Sequence, residues 1–177
     1  MNPADYHADE LLRDGNPIHI RAIRPDDRER LLAHFHGLSQ QSIYYRFIGL
    51  KHDLNDRELS YLTEIDFVNH AALVATLIEQ GEERIIGVAR YIRGANPARA
   101  EVAFAIIDDW QGHGIATLLL QHISSIARSA GVTEFEAIVL GDNSRMLEVF
   151  EHSGLPGTRS ADGGTIRVTL QLGREPG

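Results

Sequence analysis

Residues 100–129, AEVAFAIIDDWQGHGIATLLLQHISSIARS, predict a strand, a glycine-bearing turn and a long amphipathic helix. The apolar run 100–107 contains β-branched and aromatic residues and has the length of a strand that is covered on both faces. From Gly114 onward, apolar residues recur at helical spacing, so that one face of the helix can pack on a sheet. The stretch therefore indicates a fold that combines helices with a sheet.

The turn between this strand and this helix, residues 111–116 (QGHGIA), is suited to binding an anion. Gly112 and Gly114 have no side chain and Ala116 has only a methyl group, so a ligand can approach the backbone closely. The free N–H groups of the first helical turn, together with the helix dipole, favour an anion by about 0.3–1 kcal/mol when exposed. A phosphate or pyrophosphate is the expected occupant. The alternative is a tight connection that binds nothing.

The composition is that of an ordinary globular protein, with 43% hydrophobic and 24% charged residues. No apolar run is long enough to span a bilayer and the acidic N-terminal segment is not a signal peptide, so we expect a cytoplasmic protein without a membrane partner. The chain has no cysteine, which excludes disulfides, zinc–thiolate sites and thiol nucleophiles. The histidines show no ligand spacing, so no metal is expected. The net charge of −8 argues against a nucleic-acid partner and is compatible with a cationic acceptor.

The chain of 177 residues predicts one domain over residues 17–172, between polar tails at 1–16 and 173–177. The N-terminal tail contains at most one helical turn, at residues 8–12. Capping residues and apolar patterning predict helices that begin near Pro25 and after Ser39, Asn55 and Asn143. Besides the central strand, the pattern predicts strands at 17–23, 71–78, 85–93, 135–140 and 165–172. The glycine-rich segment 154–164 leaves two alternatives open, the edge of a homodimer or a loose loop.

Three positions of the turn carry a resemblance to a known family. Gln111, Gly114 and Ala116 resemble the acyl-CoA-binding signature of the GNAT superfamily of N-acetyltransferases: Gln or Arg, two variable residues, Gly, one variable residue, then Gly or Ala. The order of predicted elements is also similar to that of a GNAT fold. The resemblance implies an α/β (α+β) architecture, a mixed and mostly antiparallel twisted sheet with helices on both faces. It further implies that strands 100–107 and 135–140 splay apart to admit the pantetheine arm of acetyl-CoA.

Four phrases resemble the bacterial Pat-type protein lysine acetyltransferases within this superfamily: IRAIRPDD, LSQQSIYYRFIG, AEVAFAIIDDWQGHGIATLLL and LGDNSRM. The resemblance implies acetyl-CoA as acyl donor and a lysine-bearing protein, such as an acyl-CoA synthetase, as acceptor, with direct transfer in a ternary complex. It also implies that the helical region after Ser39 borders the acceptor site. Two alternatives stay open, an N-acetyltransferase for a small amine and a non-catalytic acyl-CoA sensor.

Glu101 is the candidate general base. A lysine amine has a reference pKa of about 10.4 and must lose a proton before it attacks a thioester. Glu101 begins the central strand, and the small residues Ala103 and Ala105 on the same face leave space for a substrate. The Pat-type resemblance implies a catalytic glutamate at this position, which we expect to be half-buried. The alternative is a structural carboxylate paired with Arg90, Arg93 or Arg99.

Phe150 occupies the position at which many GNAT enzymes carry a tyrosine that protonates the departing CoA thiolate. Phenylalanine cannot donate a proton, so this role is vacant. Asn143 matches an asparagine that contacts the cofactor arm in the family, and it is also a candidate helix N-cap. Backbone N–H groups near residues 104–107 are expected to hold the acyl carbonyl. The residues expected to contact acetyl-CoA are Phe104, Ala105, Ile106, Ile107, Gln111, Gly112, His113, Gly114, Ile115, Ala116, Asn143, Met146 and Phe150.

Overall fold

Eight strands form a single sheet in the described part of the chain, residues 2–48, 51 and 53–173 of a computed structural model. The strands are β1 (His7–Leu11), β2 (Pro17–Ala22), β3 (His70–Glu79), β4 (Glu82–Arg93), β5 (Arg99–Ile106), β6 (Glu134–Leu140), β7 (Gly157–Asp162) and β8 (Thr165–Gln171). Their order in the sheet is β1-β2-β3-β4-β5-β6-β8-β7. The helices are α1 (Arg28–His36), α2 (Gln40–Phe47), α3 (Asp56–Thr63), α4 (Ile115–Ser129) and α5 (Ser144–Glu151).

Helices cover both faces of the sheet. Helix α4 buries Leu119, Leu120 and Ile123 against one face. On the other face, Leu31 and Phe35 of α1 and Leu59 of α3 pack with Val74 and Val88. The mixed architecture predicted from the sequence is confirmed.

The central pair of strands diverges along its length. Strands β5 and β6 are parallel, and their pairing is confined to Arg99↔Glu134, Ala100↔Phe135 and Glu101↔Glu136. Every other neighbouring pair in the sheet is antiparallel. Beyond Glu101, β5 continues to Ile106 and β6 to Leu140 without a shared ladder. The strands therefore splay apart as predicted, and the gap between them leaves backbone groups without a strand partner.

Strand β5 is not covered on both faces, contrary to the prediction from its apolar run. Its burial alternates, so Val102 and Phe104 are buried whereas Ala103 and Ala105 are half-buried and Glu101 is exposed. The small side chains on this face leave space below α2, and that space is a cavity rather than a packed core.

The predicted helix caps are confirmed by short-range hydrogen bonds. Ser39 Oγ accepts from the Ser42 N–H (3.1 Å), and Asn55 and Glu58 form a reciprocal capping box. Asn143 Oδ1 accepts from the Met146 N–H (3.4 Å). Each cap satisfies a backbone donor that has no partner within its helix.

The prediction of a polar tail over residues 1–16 is wrong for residues 7–11, which form the edge strand β1. This strand pairs antiparallel with β2, and His122 of α4 hydrogen-bonds both the Tyr6 hydroxyl and the Glu10 carboxylate. These partners lie more than a hundred residues away in sequence, so no local pattern reveals them. The C-terminal tail, apart from Gly173, lies outside the described residues.

The glycine-rich segment contains β7, which pairs with β8 and exposes all of its residues. The loose-loop alternative is therefore wrong for residues 157–162, whereas a homodimer through this edge stays a prediction. Among the described helices, none combines the length and apolar character needed to cross a membrane.

Candidate active site

A cavity of about 870 Å³ occupies the gap between β5 and β6 and extends below α2. This volume lies within the range of about 300–1,000 Å³ that is usual for ligand sites. Ten of the residues singled out from the sequence line it: Glu101, Phe104, Ala105, Ile106, Gln111, Gly112, Ala116, Asn143, Met146 and Phe150. We call it the donor cavity, after the acyl donor that the sequence resemblance implies.

Four of the singled-out residues do not line the donor cavity. Ile107 and Ile115 are each 1% exposed and belong to the core. The Ile107 N–H already donates to the Ile86 carbonyl (2.9 Å), so it is not free to hold an acyl group. His113 points away, with Nδ1 on Asp14 (3.2 Å) and its ring beside Trp110. The fourth, Gly114, is the N-cap of α4.

Alternation along β5 shows which backbone groups face the gap. Because the Ile107 N–H is directed to β4, the N–H of Ala105 is directed there as well. The backbone groups of Phe104 and Ile106 therefore point into the gap. The Ile106 carbonyl accepts from Gln111 Nε2 (3.0 Å) on that side, in agreement with this alternation.

The glycine turn has the conformation of an anion cradle. Gly112 and Gly114 have φ of 81° and 87°, in the left-handed region that favours glycine, and an added Cβ would meet nothing within 4 Å at either position. Conformation rather than space therefore requires glycine here. Gly114 offers no side-chain acceptor to the first-turn N–H groups of α4. These donors remain suited to an external anion.

Gln111 forms hydrogen bonds with α2, β5 and α5 at the turn. Its Nε2 donates to Ser42 Oγ of α2 (3.1 Å) as well as to Ile106, and its Oε1 accepts from Arg145 of α5 (2.9 Å). The exposed Arg145 also lines the donor cavity. The sequence motif identified Gln111 but not this cation, which becomes visible only when α5 is placed beside the turn.

Helix α2 spans the donor cavity and is held on both sides of it. On one side, Asp108 accepts from the Ser39 N–H (2.9 Å), Ser39 Oγ (2.8 Å) and Ser42 Oγ (2.9 Å). Burial raises the pKa of Asp108, but the hydrogen bonds from Ser39 and Ser42 outweigh it and leave the pKa below its usual value. On the other side, Tyr45 donates to the Asp142 carbonyl (3.4 Å). These contacts hold α2 in place over the donor cavity.

Glu101 lies where the pairing of β5 with β6 ends. Contrary to the half-buried side chain expected, it is exposed, because the donor cavity opens beside it. Within the described residues no ion pair involves Glu101. The three arginines considered as its partners are bound elsewhere: Arg90 to His70 and the Leu62 carbonyl, Arg93 to the Pro97 and Ala130 carbonyls, and Arg99 to Glu134. The structure therefore leaves the carboxylate available.

A second cavity, of about 470 Å³, meets the donor cavity at Glu101. The two share Arg46, Glu101 and Ala103 as lining residues. Burial lowers the pKa of Arg46, and the charge of Glu101 partly offsets this. Arg90 and Glu136 also line the second cavity, opposite Ala103 and Glu101 in the strand registers. Sequence reasoning did not place Arg46, Arg90 and Glu136 beside Glu101, because helix packing and strand register bring together residues that no local pattern links.

Phe150 contributes packing. Its ring is 2% exposed and meets the Phe104 ring edge-on at 5.9 Å between centroids. The proton-donor role at this position is thus vacant in three dimensions as well as in sequence. In the described ranges, no group of three or more metal-ligating side chains converges.

Comparisons with known proteins agree with this geometry. A family model described as an acetyltransferase (GNAT) domain matches residues 18–156. An acetyltransferase of Pseudomonas aeruginosa is 32% identical over 90% of this chain and 86% of its own length. The acetyltransferase Pat of Mycolicibacterium smegmatis is 35% identical over 81% of this chain, which spans only 42% of that protein.

Among solved structures, the GNAT domain of S. lividans PAT has a TM-score of 0.85 and 36% identity, with 93% of this chain and 96% of that chain covered. A cAMP-binding acyltransferase from Mycobacterium smegmatis has a TM-score of 0.66 and 28% identity over 95% of this chain, which covers 48% of that one. The chain belongs to the GNAT family of acetyltransferases, enzymes that use acetyl-CoA as acyl donor.

Proposed function

We propose that this chain acetylates a lysine side chain of an acceptor protein, in particular an acyl-CoA synthetase, by direct transfer with Glu101 as general base. The observation that carries this proposal is the position of Glu101 at the junction of two cavities. A thioester in one cavity and an amine in the other would meet beside its carboxylate. The likeness to Pat of M. smegmatis and PAT of S. lividans supports a protein acceptor.

The donor cavity fits acetyl-CoA, which supplies the electrophilic thioester carbonyl. The backbone groups of Phe104 and Ile106 point into the gap and can pair with an extended arm as an added strand would. At the other end of the cavity, the glycine turn and Arg145 favour the negatively charged pyrophosphate.

Glu101 has a defined task in this scheme. At pH 7 a lysine amine is mostly protonated, which costs about 4–5 kcal/mol before attack, and a positioned base offsets part of this cost. The carboxylate takes a proton from the amine as the C–N bond forms. A backbone N–H of Phe104 or Ile106 stabilises the developing oxyanion. The C–S bond then breaks, and the thiolate, with a reference pKa of about 8.5, leaves unaided or takes a proton from water.

Intact-mass spectrometry of an acyl-CoA synthetase incubated with acetyl-CoA and this protein tests the proposal. We expect the wild type to add one acetyl group and Glu101→Gln to be slowed about 10²–10⁴-fold, the usual contribution of a general base. Glu79→Gln is the matched control, because Glu79 is also a strand carboxylate but pairs with Arg84 (2.8 Å) and lines neither cavity. It should retain activity.

Each contrary outcome identifies an alternative. A wild-type protein that acetylates small amines but no protein would be a small-molecule N-acetyltransferase. Binding of acetyl-CoA without turnover on any amine would indicate a sensor. Full activity of Glu101→Gln would remove Glu101 as the base while leaving the acetyltransferase activity intact.

A further inference from the structure

The second cavity carries a charge opposite to that of the whole chain. The chain has a net charge of −8, yet the charged lining residues of this cavity are four arginines and two glutamates: Arg46, Arg90, Arg93, Arg99, Glu101 and Glu136. Two of them are neutralised by partners outside the cavity, since Arg99 pairs with Glu134 and Glu136 pairs with Arg167. Three arginines and Glu101 remain.

These three arginines have no carboxylate partner among the described residues. Arg93 donates to the carbonyls of Pro97 (2.9 Å) and Ala130 (2.6 Å). Arg46 lies over the Phe47 ring, 4.8 Å from its centroid. Neither contact supplies a negative charge. The charge of Glu101 acts on Arg46 and offsets only one of the three cations, so the cavity keeps an excess of cations over anions.

Arg90 is the deepest of the three. It is 4% exposed, and its NH1 donates to the Leu62 carbonyl (3.2 Å) and to His70 Nε2 (2.9 Å). Burial and then the charge of Arg90 lower the pKa of His70 to about 4, so the histidine is neutral and accepts this bond. Burial and then the charge of Arg46 lower the pKa of Arg90 to about 9, and the side chain is still cationic at neutral pH. A buried cation without a counter-ion is costly, and an anion that enters the cavity would relieve this cost.

The strand register gives the spacing between Arg90 and Glu101, beside which the amine would react. Glu101 lies opposite Ile92, so Arg90 is its diagonal neighbour on the same face. Diagonal neighbours on a pair of strands are about 7–8 Å apart. In an extended peptide, residues two positions apart point to the same side at about 6.8 Å. The spacing along an extended peptide is therefore close to the spacing of Glu101 and Arg90 across the two strands.

We propose that the second cavity is the acceptor site and that Arg90, with Arg46, selects a lysine that has an acidic residue two positions away from it in the acceptor protein. The proposal rests on the protein-acetyltransferase function proposed above and adds the sequence context of the lysine. The lysine amine approaches Glu101, while the neighbouring carboxylate occupies the space in front of the arginines. A polyamine, which carries only positive charges, is disfavoured by the same arginines.

Single-lysine peptides test the proposal. A set with Glu, Gln or Arg at each position within two residues of the lysine is assayed for CoA release with wild type, Arg46→Gln and Arg90→Gln. We expect kcat/KM at least tenfold higher for the best Glu peptide than for its Gln counterpart, and a preference below threefold in the variants. Arg84→Gln is the control, because Arg84 lies on the same strand β4 but pairs with Glu79 away from both cavities. It should keep the wild-type preference.

A non-reactive peptide separates this proposal from the proposed function. The best Glu peptide, with norleucine in place of lysine, is titrated by calorimetry into the acetyl-CoA complex of each protein. Binding that is lost with the Gln peptide and in Arg46→Gln supports the anion site even if no peptide is acetylated, an outcome that would count against the proposed function alone. Equal binding or turnover of Glu and Gln peptides overturns the anion site. Turnover of Nα-acetyl-lysine, but not of its amide or of any peptide, assigns the anion to a small acceptor and also overturns the proposal.

Discussion

Gly87 of β4 lies so close to α4 that a methyl group does not fit between the strand and the helix. A Cβ added there would lie 2.9 Å from Ile106 Cδ1, 3.1 Å from Ile115 Cγ2 and 3.2 Å from Leu119 Cδ1. Carbon atoms pack best at about 3.5–4.0 Å, so each contact is too short by about 0.3–1.1 Å. We therefore predict that Gly87→Ala displaces the first turn of α4.

The three neighbours differ in how easily they can move. Ile106 Cδ1 and Leu119 Cδ1 are terminal methyl groups that can change rotamer. Ile115 Cγ2 is attached directly to Cβ of a β-branched residue, which is stiff in a helix, and Ile115 is 1% exposed. Because Ile115 is the first residue of α4, its movement carries the glycine turn with it.

The expected cost follows from overpacking of a close-packed core, about 1–3 kcal/mol in the free energy of unfolding. For a domain of this size it corresponds to a decrease in Tm of roughly 2–12 °C. Because the turn also moves, we expect the KM for acetyl-CoA to increase severalfold. Calorimetry and steady-state kinetics measure the two effects.

Gly164→Ala is the matched control, because an added Cβ there meets nothing within 4 Å and its φ lies outside the left-handed region. Its Tm should be unchanged or slightly raised, as for Gly→Ala at compatible positions. A Gly87→Ala protein with wild-type Tm and wild-type KM would refute the reasoning that α4 rests against this glycine.

Two further predictions concern charge. Arg145→Gln should increase the KM for acetyl-CoA about two- to fivefold with little change in kcat, since an exposed ion pair contributes up to about 1 kcal/mol. High salt should weaken this effect, because it screens exposed charges. An effect on KM that does not depend on salt would contradict a role of Arg145 in binding phosphate. His34 and His70 are buried, and burial is the main reason why the pKa of each is lowered to about 4, below the usual value of about 6.5. Between these two pH values the histidines bind protons in the unfolded chain but not in the folded chain. The free energy of unfolding should therefore be full above about pH 6.5 and fall toward pH 4, by up to about 1.4 kcal/mol per pH unit and histidine. Urea unfolding between pH 7 and 5 measures this slope, the exposed neighbour variant His36→Gln should keep it, and a flat profile would contradict it.

Several features of this protein follow from local sequence. The caps at Ser39, Asn55 and Asn143 are predictable because each hydrogen bond closes within three residues along the chain. The helical period of α4 and its glycine turn are likewise local, and the chemistry of the turn favours an anion. The placement of Glu101 before two small residues on one strand face also needs only the two-residue period of a strand.

Other features depend on partners that are distant in sequence. The edge strand β1 pairs with β2, and Tyr6 and Glu10 hydrogen-bond His122 of the distant helix α4. The apolar pattern of β5 cannot show that one of its faces stays open, since this depends on where α2 lies.

The same distinction between local and long-range features applies to the two cavities. An anion cradle is built from consecutive residues, so the motif in residues 111–116 suffices to predict it. The cationic second cavity is assembled from α2, β4 and β5, where Arg46, Arg90 and Glu101 come together through helix packing and strand register. Local sequence determines local conformation directly. The charge of a cavity depends instead on which strands pair and in which register, and packing over the whole domain determines both.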